Sequence, residues 1–301
     1  TLDATNTDAS TNCFCASGTV SRTADLGFST ITIDSTAGDV VLDMGAHDLV
    51  MGASGRAILV SGDNDVSITG SGKFSSQLVL CLHNYSSGTF TFGLDTRSDG
   101  DSRLAVGGTG LTVWTGVSTE KGTSRKDGIR INGGVFRPTA DQDWVSGTNV
   151  HVSVSGGAVL EIGADLNGTT ADDLSNPVGD HGSGSNITFW GDSGLSAHGA
   201  DRVVGFRTAG TGSLQSLTWG ANNFLSNANN DGDGNYRLLL SSEHSNAKLT
   251  LQNNIALGSL MRTVDVADGS AEVDAVLSGV LSGAGGLIKA GDGTLSISGP
   301  N

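Results

Sequence analysis

The residues best suited to binding chemistry in this sequence are Asn229, Asp231 and Asp233, which alternate along the chain and precede Gly234. Oxygen-bearing side chains at alternating positions before a glycine are typical of the first half of a calcium-binding loop. The twelfth position of that loop is Leu240, where a bidentate glutamate would be required. The pattern predicts a weak calcium loop at Asn229, Asp231 and Asp233. The alternative is an ordinary turn with no metal or other cofactor, because Asn, Asp and Gly also favour tight turns.

Two groups of charged residues have the composition that a carbohydrate-active enzyme needs. Such enzymes place two or three carboxylates, sometimes with a basic group, on neighbouring strands. The two groups are Arg137 with Asp141 and Asp143, and Asp172 and Asp173 with Asp180 and His181. Each group lies in a segment with the composition of a polar turn, and the sequence has no nucleophile elbow, zinc-protease motif or phosphate loop. We therefore predict that the chain is not an enzyme, with a carbohydrate-active β-helix enzyme as the alternative.

The three cysteines leave the redox compartment open. Cys13 and Cys15 are two residues apart and would point to the same face of a strand, whereas Cys81 lies inside the apolar run 78–82. Their spacing does not match a zinc site. A disulfide within the first pair, a disulfide from that pair to Cys81, and three buried thiols all remain open.

Three tryptophans offer a further binding hypothesis. Trp114, Trp190 and Trp219 each end a strand-like run. If they were aligned along one face they would form a ladder for stacking sugars. The alternative is that each covers a hydrophobic layer locally.

The charge balance excludes several classes of partner. The chain has 31 acidic and 16 basic residues, for a formal net charge of −15. Nucleic acids and anionic membrane surfaces both require clustered Lys or Arg, so neither is an expected partner. No apolar run approaches the ~20 residues that would span a bilayer as a helix. Acidic charge of this size keeps an extracellular protein soluble.

Short apolar runs that alternate with turn residues predict an all-β chain. Examples are 40–42, 49–51, 66–69, 111–114 and 158–162, each bracketed by Gly, Asn, Asp or Ser. No window has a sustained helical pattern. Strands this short with turns of irregular length favour a coil whose rungs stack, over a sandwich of long antiparallel strands. We predict a single right-handed parallel β-helix (β-solenoid) over residues 1–301, the handedness following the usual rule for parallel crossovers.

The end of the sequence contains two short apolar segments, 286–289 and 293–298, joined by an Ala-Gly-Asp-Gly turn in which glycine permits positive φ. Leu295 and Ile297 alternate with polar residues, which predicts one buried face. This stretch resembles the autotransporter-associated β-strand repeat, which we place at 277–301. The residues on the family pattern are Gly283, Gly285, Gly286, Leu287, Lys289, Gly291, Gly293, Thr294, Leu295, Ser298, Gly299 and Asn301. The Thr-Tyr-x-Gly segment that usually follows this pattern is absent.

The resemblance implies a β-helix in a secreted or surface-exposed bacterial passenger region, and it implies no activity. The function expected is a non-enzymatic extracellular structural module, either a shaft or a filament subunit. A glycan-binding adhesin is a further alternative to the enzyme, with a glycan or cell-surface ligand as its partner. Because the sequence starts without Met and stops within the repeat, we expect either an excised segment of a longer passenger or head-to-tail self-association through open terminal rungs.

Overall fold

The structure is a computed structural model that describes residues 12–51, 57–76, 79–98, 103–116, 128–138, 151–166, 186–208, 212–227 and 234–300. The described residues form strands, turns and bends, with no helix among them, and hence none that could cross a membrane. The chain divides into two compact units, Thr1–Gly147 and Thr148–Asn301.

The first unit consists of short strands, most of them three to five residues long. They are β1 (Asn12–Cys15), β2 (Gly18–Ser21), β3 (Leu26–Phe28), β4 (Thr30–Asp34), β5 (Val40–Asp43), β6 (Leu49–Met51), β7 (Ala57–Ser61), β8 (Val66–Thr69), β9 (Lys73–Ser76), β10 (Val79–Asn84), β11 (Phe90–Phe92), β12 (Asp95–Ser98), β13 (Arg103–Gly108), β14 (Leu111–Trp114), β15 (Ile129–Ile131) and β16 (Val135–Pro138).

These strands stack in parallel as β1-β4-β7-β10-β13-β15, β2-β5-β8-β11-β14-β16 and β3-β6-β9-β12. Ile31 pairs with Ile58, and Ile58 pairs with Leu82. One rung therefore takes roughly 25 residues, which is the period of a solenoid. The prediction of a parallel β-solenoid is confirmed.

Strand alternation fills the interior of this unit. The buried side chains at one position of successive rungs form a continuous column, which runs Cys13, Ile31, Ile58, Leu82, Val106 and Ile131. Phe74 and Phe92 meet edge to face with ring centroids 5.7 Å apart. Each strand is too short to bury an apolar face alone, so the stack supplies the core.

The second unit is also built from short strands. Its strands are β17 (His151–Ser155), β18 (Ala158–Ile162), β19 (Asn186–Trp190), β20 (Ser193–Ala197), β21 (Arg202–Val204), β22 (Leu217–Thr218), β23 (Phe224–Ser226), β24 (Leu238–Leu240), β25 (Leu249–Leu251), β26 (Ile255–Gly258), β27 (Arg262–Val266), β28 (Ala275–Leu277), β29 (Leu281–Gly283), β30 (Leu287–Ala290) and β31 (Leu295–Ile297).

Within this unit the parallel orders are β17-β19-β23, β18-β20-β24-β27-β30, β21-β25-β28-β31 and β22-β26-β29. A bulge interrupts the β19–β23 pair, where Phe189 faces Phe224 and Trp190 faces Ser226. The extra residue, Leu225, has φ of 53° and is fully buried. This left-handed conformation is uncommon for a leucine and is held by the packing around the bulge.

The two apolar segments predicted near the C-terminus are β30 and β31. They pair in parallel with β27 and β28 rather than with each other. Gly291 in the connecting turn has φ of 73°, and a Cβ there would lie 2.2 Å from the carbonyl oxygen of Val266. The prediction that Leu295 and Ile297 are buried was wrong, because β31 lies at the edge of its sheet and Ile297 is 42% exposed.

Candidate functional site

Carboxylates in the turns of the first unit connect one rung to the next. The backbone N–H of Asp48 donates to Asp25 Oδ1 (2.8 Å), and the backbone N–H of Lys73 donates to Asp48 Oδ1 (2.7 Å). On another turn, Asp39 Oδ1 accepts from the N–H of Asp65 (3.1 Å) and Asp65 Oδ1 accepts from the N–H of Thr89 (2.7 Å). We call these two series the carboxylate ladders. Each carboxylate accepts a hydrogen bond from a backbone N–H at or just before the start of a strand in the next rung. Without the carboxylate, that N–H would have to bond to water.

The same device recurs in the second unit, where an arginine strengthens it. Asp192 Oδ1 accepts from the backbone N–H of Arg237 (2.8 Å), and the Arg237 guanidinium contacts both Asp192 Oδ2 (2.8 Å) and Asp265 Oδ2 (2.7 Å). The hydrogen bond and charge of Asp192, followed by those of Asp265, raise the pKa of Arg237. One side chain therefore links three successive rungs.

A buried carboxylate, Glu161, lies in β18 and pairs in register with Ser196 of β20. Ser196 Oγ and Ser242 Oγ both donate to Glu161 Oε2, at 2.6 and 2.7 Å. His198 Nδ1 lies 3.9 Å from Glu161 Oε1. Serine, histidine and glutamate together suggest a nucleophilic site, but both hydroxyls donate their hydrogen bonds directly to the carboxylate and are at most 4% exposed. This geometry stabilises the stack and does not present a nucleophile to a substrate.

Arg262 is a buried cation held by backbone oxygens. It is 4% exposed and donates from Nε to Leu257 O (2.9 Å), from Nη1 to Gly234 O (3.1 Å) and from Nη2 to Trp219 O (3.3 Å). Its guanidinium carbon lies 6.0 Å from the Trp219 ring centroid. Burial lowers the pKa of Arg262. No local pattern predicted this arrangement, because an arginine in a short strand is usually exposed.

A surface without acidic or basic side chains runs along the outward side of the first sheet, and we call it the neutral face. It has two rows in register, Asn12, Thr30, Ala57, Cys81 and Ala105, and Phe14, Thr32, Leu59, His83 and Gly107, with Tyr85 two residues beyond His83. None of these described residues is Asp, Glu, Lys or Arg. Charged residues border the face on several sides: Asp34, which pairs with Ser61 in the row that Tyr85 extends, Arg103, two residues before Ala105 on β13, and Arg130, which pairs with Ala105.

Two local contacts shape the neutral face. Thr30 Oγ1 donates to Asn12 Oδ1 (2.7 Å), which joins neighbouring rungs. The imidazole of His83 lies over Gly107, where an added Cβ would be 3.2 Å from Nδ1. Glycine at this position therefore leaves room for the ring. Sequence reasoning missed this face, although the alternation of polar and apolar residues along β4 and β10 is its signal.

Most of the predicted site residues fall outside the described part of the chain. The proposed calcium ligands Asn229, Asp231 and Asp233 do so, and so do the acidic groups Asp141 and Asp143, and Asp172, Asp173, Asp180 and His181. Arg137 is described and lies half-buried in β16. Among the described residues, no three His, Cys, Asp or Glu side chains are grouped so as to hold a metal ion.

The three cysteines and Trp114, Trp190 and Trp219 lie in the described part of the chain. No disulfide joins Cys13, Cys15 and Cys81. The first two are buried, as their shared face predicts, and burial raises the pKa of Cys15. Cys81 is half-exposed on the neutral face, because Leu80 and Leu82 take the inward positions of β10.

The three tryptophans of the proposed ladder each make a local contact, and Trp190, which is half-exposed, donates from Nε1 to Asn223 Oδ1 (3.2 Å). Trp114 and Trp219 are buried and donate from Nε1 to Leu94 O (3.3 Å) and Tyr236 O (3.0 Å). Buried rings of this kind do not stack on a ligand.

Searches against known protein families, curated proteins and solved structures found no match.

Proposed function

We propose that this chain is a non-enzymatic structural module, the β-helical shaft or filament subunit of a secreted or surface-exposed passenger protein. The observation that carries the proposal is the pair of carboxylate ladders in the first unit. In these ladders, acidic side chains form hydrogen bonds that join one rung to the next. A stack joined in this way resists separation of its rungs, which is the property a shaft needs.

The extracellular location rests on two features. The stretch 277–301 resembles a repeat of secreted passenger proteins, and the net charge of −15 favours solubility outside the cell.

In the second unit, Arg237 contacts both Asp192 and Asp265 and so adds a further link between rungs, which also supports the structural role.

Pulling single molecules by their ends tests the mechanical role. We expect stepwise lengthening, each step releasing one rung of roughly 25 residues or about 85 Å of chain. Loss of all rungs in one low-force event would contradict a shaft. Light scattering distinguishes a single shaft from a filament subunit. A monomer that stays stable at high concentration and forms no fibres would exclude the filament and support the single shaft.

An activity screen tests the non-enzymatic part. The chain is incubated with acidic polysaccharides, and we expect no product. Clear release of reducing or unsaturated ends would overturn this part of the proposal in favour of a carbohydrate-active enzyme.

A further inference from the structure

The exposed large apolar side chains in the described part of the first unit all lie on one surface. They are Phe14 (43% exposed), Leu59 (37%) and Tyr85 (55%), and all three belong to the neutral face. Phe14 and Leu59 are in the same row, two rungs apart, with Thr32 between them. Exposed apolar residues scattered singly need no explanation, but their collection on one uncharged surface points to a binding role.

The size of the neutral face argues against a second copy of the chain as its occupant. The face covers five stacked strands and two outward positions on each, with Tyr85 at a third position just beyond β10, so it measures at most roughly 20 by 13 Å. This is on the order of 250 Å², whereas a stable protein interface buries about 800 Å² on each partner. A narrow ligand that lies along the stack fits these dimensions better.

The charge around the face indicates an uncharged ligand. The turn that leaves this sheet carries Asp39 and Asp65 from one carboxylate ladder, and Asp34 lies at the end of β4. These carboxylates repel a polyanion along this border, Arg130 contributes a positive charge at the end of the face, and the two rows themselves carry no charge that would attract an ionic ligand.

The repeat of the face indicates a polymer. Equivalent outward positions recur every 4.8 Å or so along the stack, which is about the length of one sugar unit in an extended chain. The rings of Phe14, His83 and Tyr85 are flat surfaces against which sugar rings pack, and the side chains of Asn12, Thr30 and Thr32 provide hydrogen-bonding groups between them. We propose that the neutral face binds an extended, uncharged polysaccharide laid along the stacking direction. This proposal goes beyond the shaft role and does not depend on it.

Co-sedimentation with insoluble neutral polysaccharides tests the proposal, using cellulose, chitin and a β-1,3-glucan, with polygalacturonate beads as the anionic comparison. The test variant is Phe14→Ala/Tyr85→Ala, and the matched control is Leu214→Ala, since Leu214 is 42% exposed in the second unit. We expect retention on at least one neutral matrix. The double variant should bind about tenfold more weakly or worse, while the control binds as the unaltered chain does.

Three results would overturn the proposal. They are no retention on any neutral matrix, equal retention of the double variant, and stronger retention on polygalacturonate. A dimer that forms with concentration and is lost in the double variant would also overturn it, by identifying a second copy as the occupant. Circular dichroism and the thermal midpoint of each variant should match those of the unaltered chain, because the altered side chains are about half-exposed. If the polysaccharide-binding proposal fails, the proposed shaft role is unaffected, because the pulling experiment and the product-release assay test that role separately.

Discussion

Asp48 and Lys73 are joined across two rungs of the first unit, with the backbone N–H of Lys73 donating to Asp48 Oδ1 at 2.7 Å. Asp48 also donates its own N–H to Asp25 Oδ1 at 2.8 Å. A turn carboxylate therefore acts as a connector between successive coils. Some of the many acidic residues of this chain therefore have a structural use.

Replacing Asp48 should weaken the stack. We expect Asp48→Ala to lower the free energy of unfolding by about 1 kcal/mol, because it removes the acceptor of a charge-assisted hydrogen bond at a half-buried turn. Urea denaturation followed by circular dichroism measures the change. Asp292→Ala is the control, since Asp292 is exposed and accepts no hydrogen bond from the described residues. Equal effects of the two substitutions would show that the ladders contribute nothing.

The Asp201–Lys248 pair should make stability depend on pH in acid. Lys248 Nζ lies 2.8 Å from Asp201 Oδ2, and its backbone N–H donates to Oδ1 (3.0 Å). The Lys248 side-chain hydrogen bond, then the backbone hydrogen bond, lower the pKa of Asp201 in the folded state. The stabilisation is complete above the unfolded-state pKa of about 3.9 and is lost as pH falls through the lower folded-state value.

Comparison of the chain with Asp201→Asn measures this dependence. We expect the difference in urea midpoint to be present near pH 7, to shrink below about pH 4 and then to vanish. Because Asp201 is mostly exposed, high salt should reduce the difference at pH 7. A difference that stays constant across the acid range would contradict the assignment.

The buried hydroxyl of Thr112 should destabilise the core of the first unit. It is fully buried between Phe90 and Phe136 in register, and its Oγ1 has no hydrogen-bond partner among the described residues. Thr112→Val replaces the hydroxyl with a methyl group of similar size, so we expect about 1 kcal/mol of added stability. The contrasting variant is Ser35→Ala, which should destabilise, because Ser35 Oγ donates to Asn64 O (2.8 Å). A lower thermal midpoint for Thr112→Val would show that the hydroxyl is satisfied.

Arg262 should not tolerate lysine. A lysine ammonium cannot reach the carbonyls of Leu257, Gly234 and Trp219 with the geometry of the guanidinium fork. We expect Arg262→Lys to cost about 2–3 kcal/mol of unfolding free energy, since it leaves buried carbonyls unpaired. Arg130→Lys, at an exposed position of β15, should cost almost nothing. If both variants unfold at the same urea concentration, the buried contacts are not important for stability.

The sequence alone determined the fold class and many strand positions. The predicted runs 49–51, 66–69, 111–114 and 158–162 have the bounds of β6, β8, β14 and β18. Alternation of apolar and polar residues, and glycine at turns such as Gly291, are local properties, so they can be seen in one stretch of chain. Strands without alternation were missed, among them β13 and β20, because their neighbours in the stack define them through backbone hydrogen bonds.

The folded stack is needed to show which polar residues are connected and which surface is exposed. Nothing local distinguishes Asp48, which accepts from the next rung, from the exposed Asp292. Cys81 lies in an apolar run yet faces outward, and Arg262 faces inward although it is charged. This is because alternation divides a strand into two faces but does not show which face is buried and which is exposed. The stacking of residues roughly 25 positions apart sets which face is covered and which partner each side chain meets.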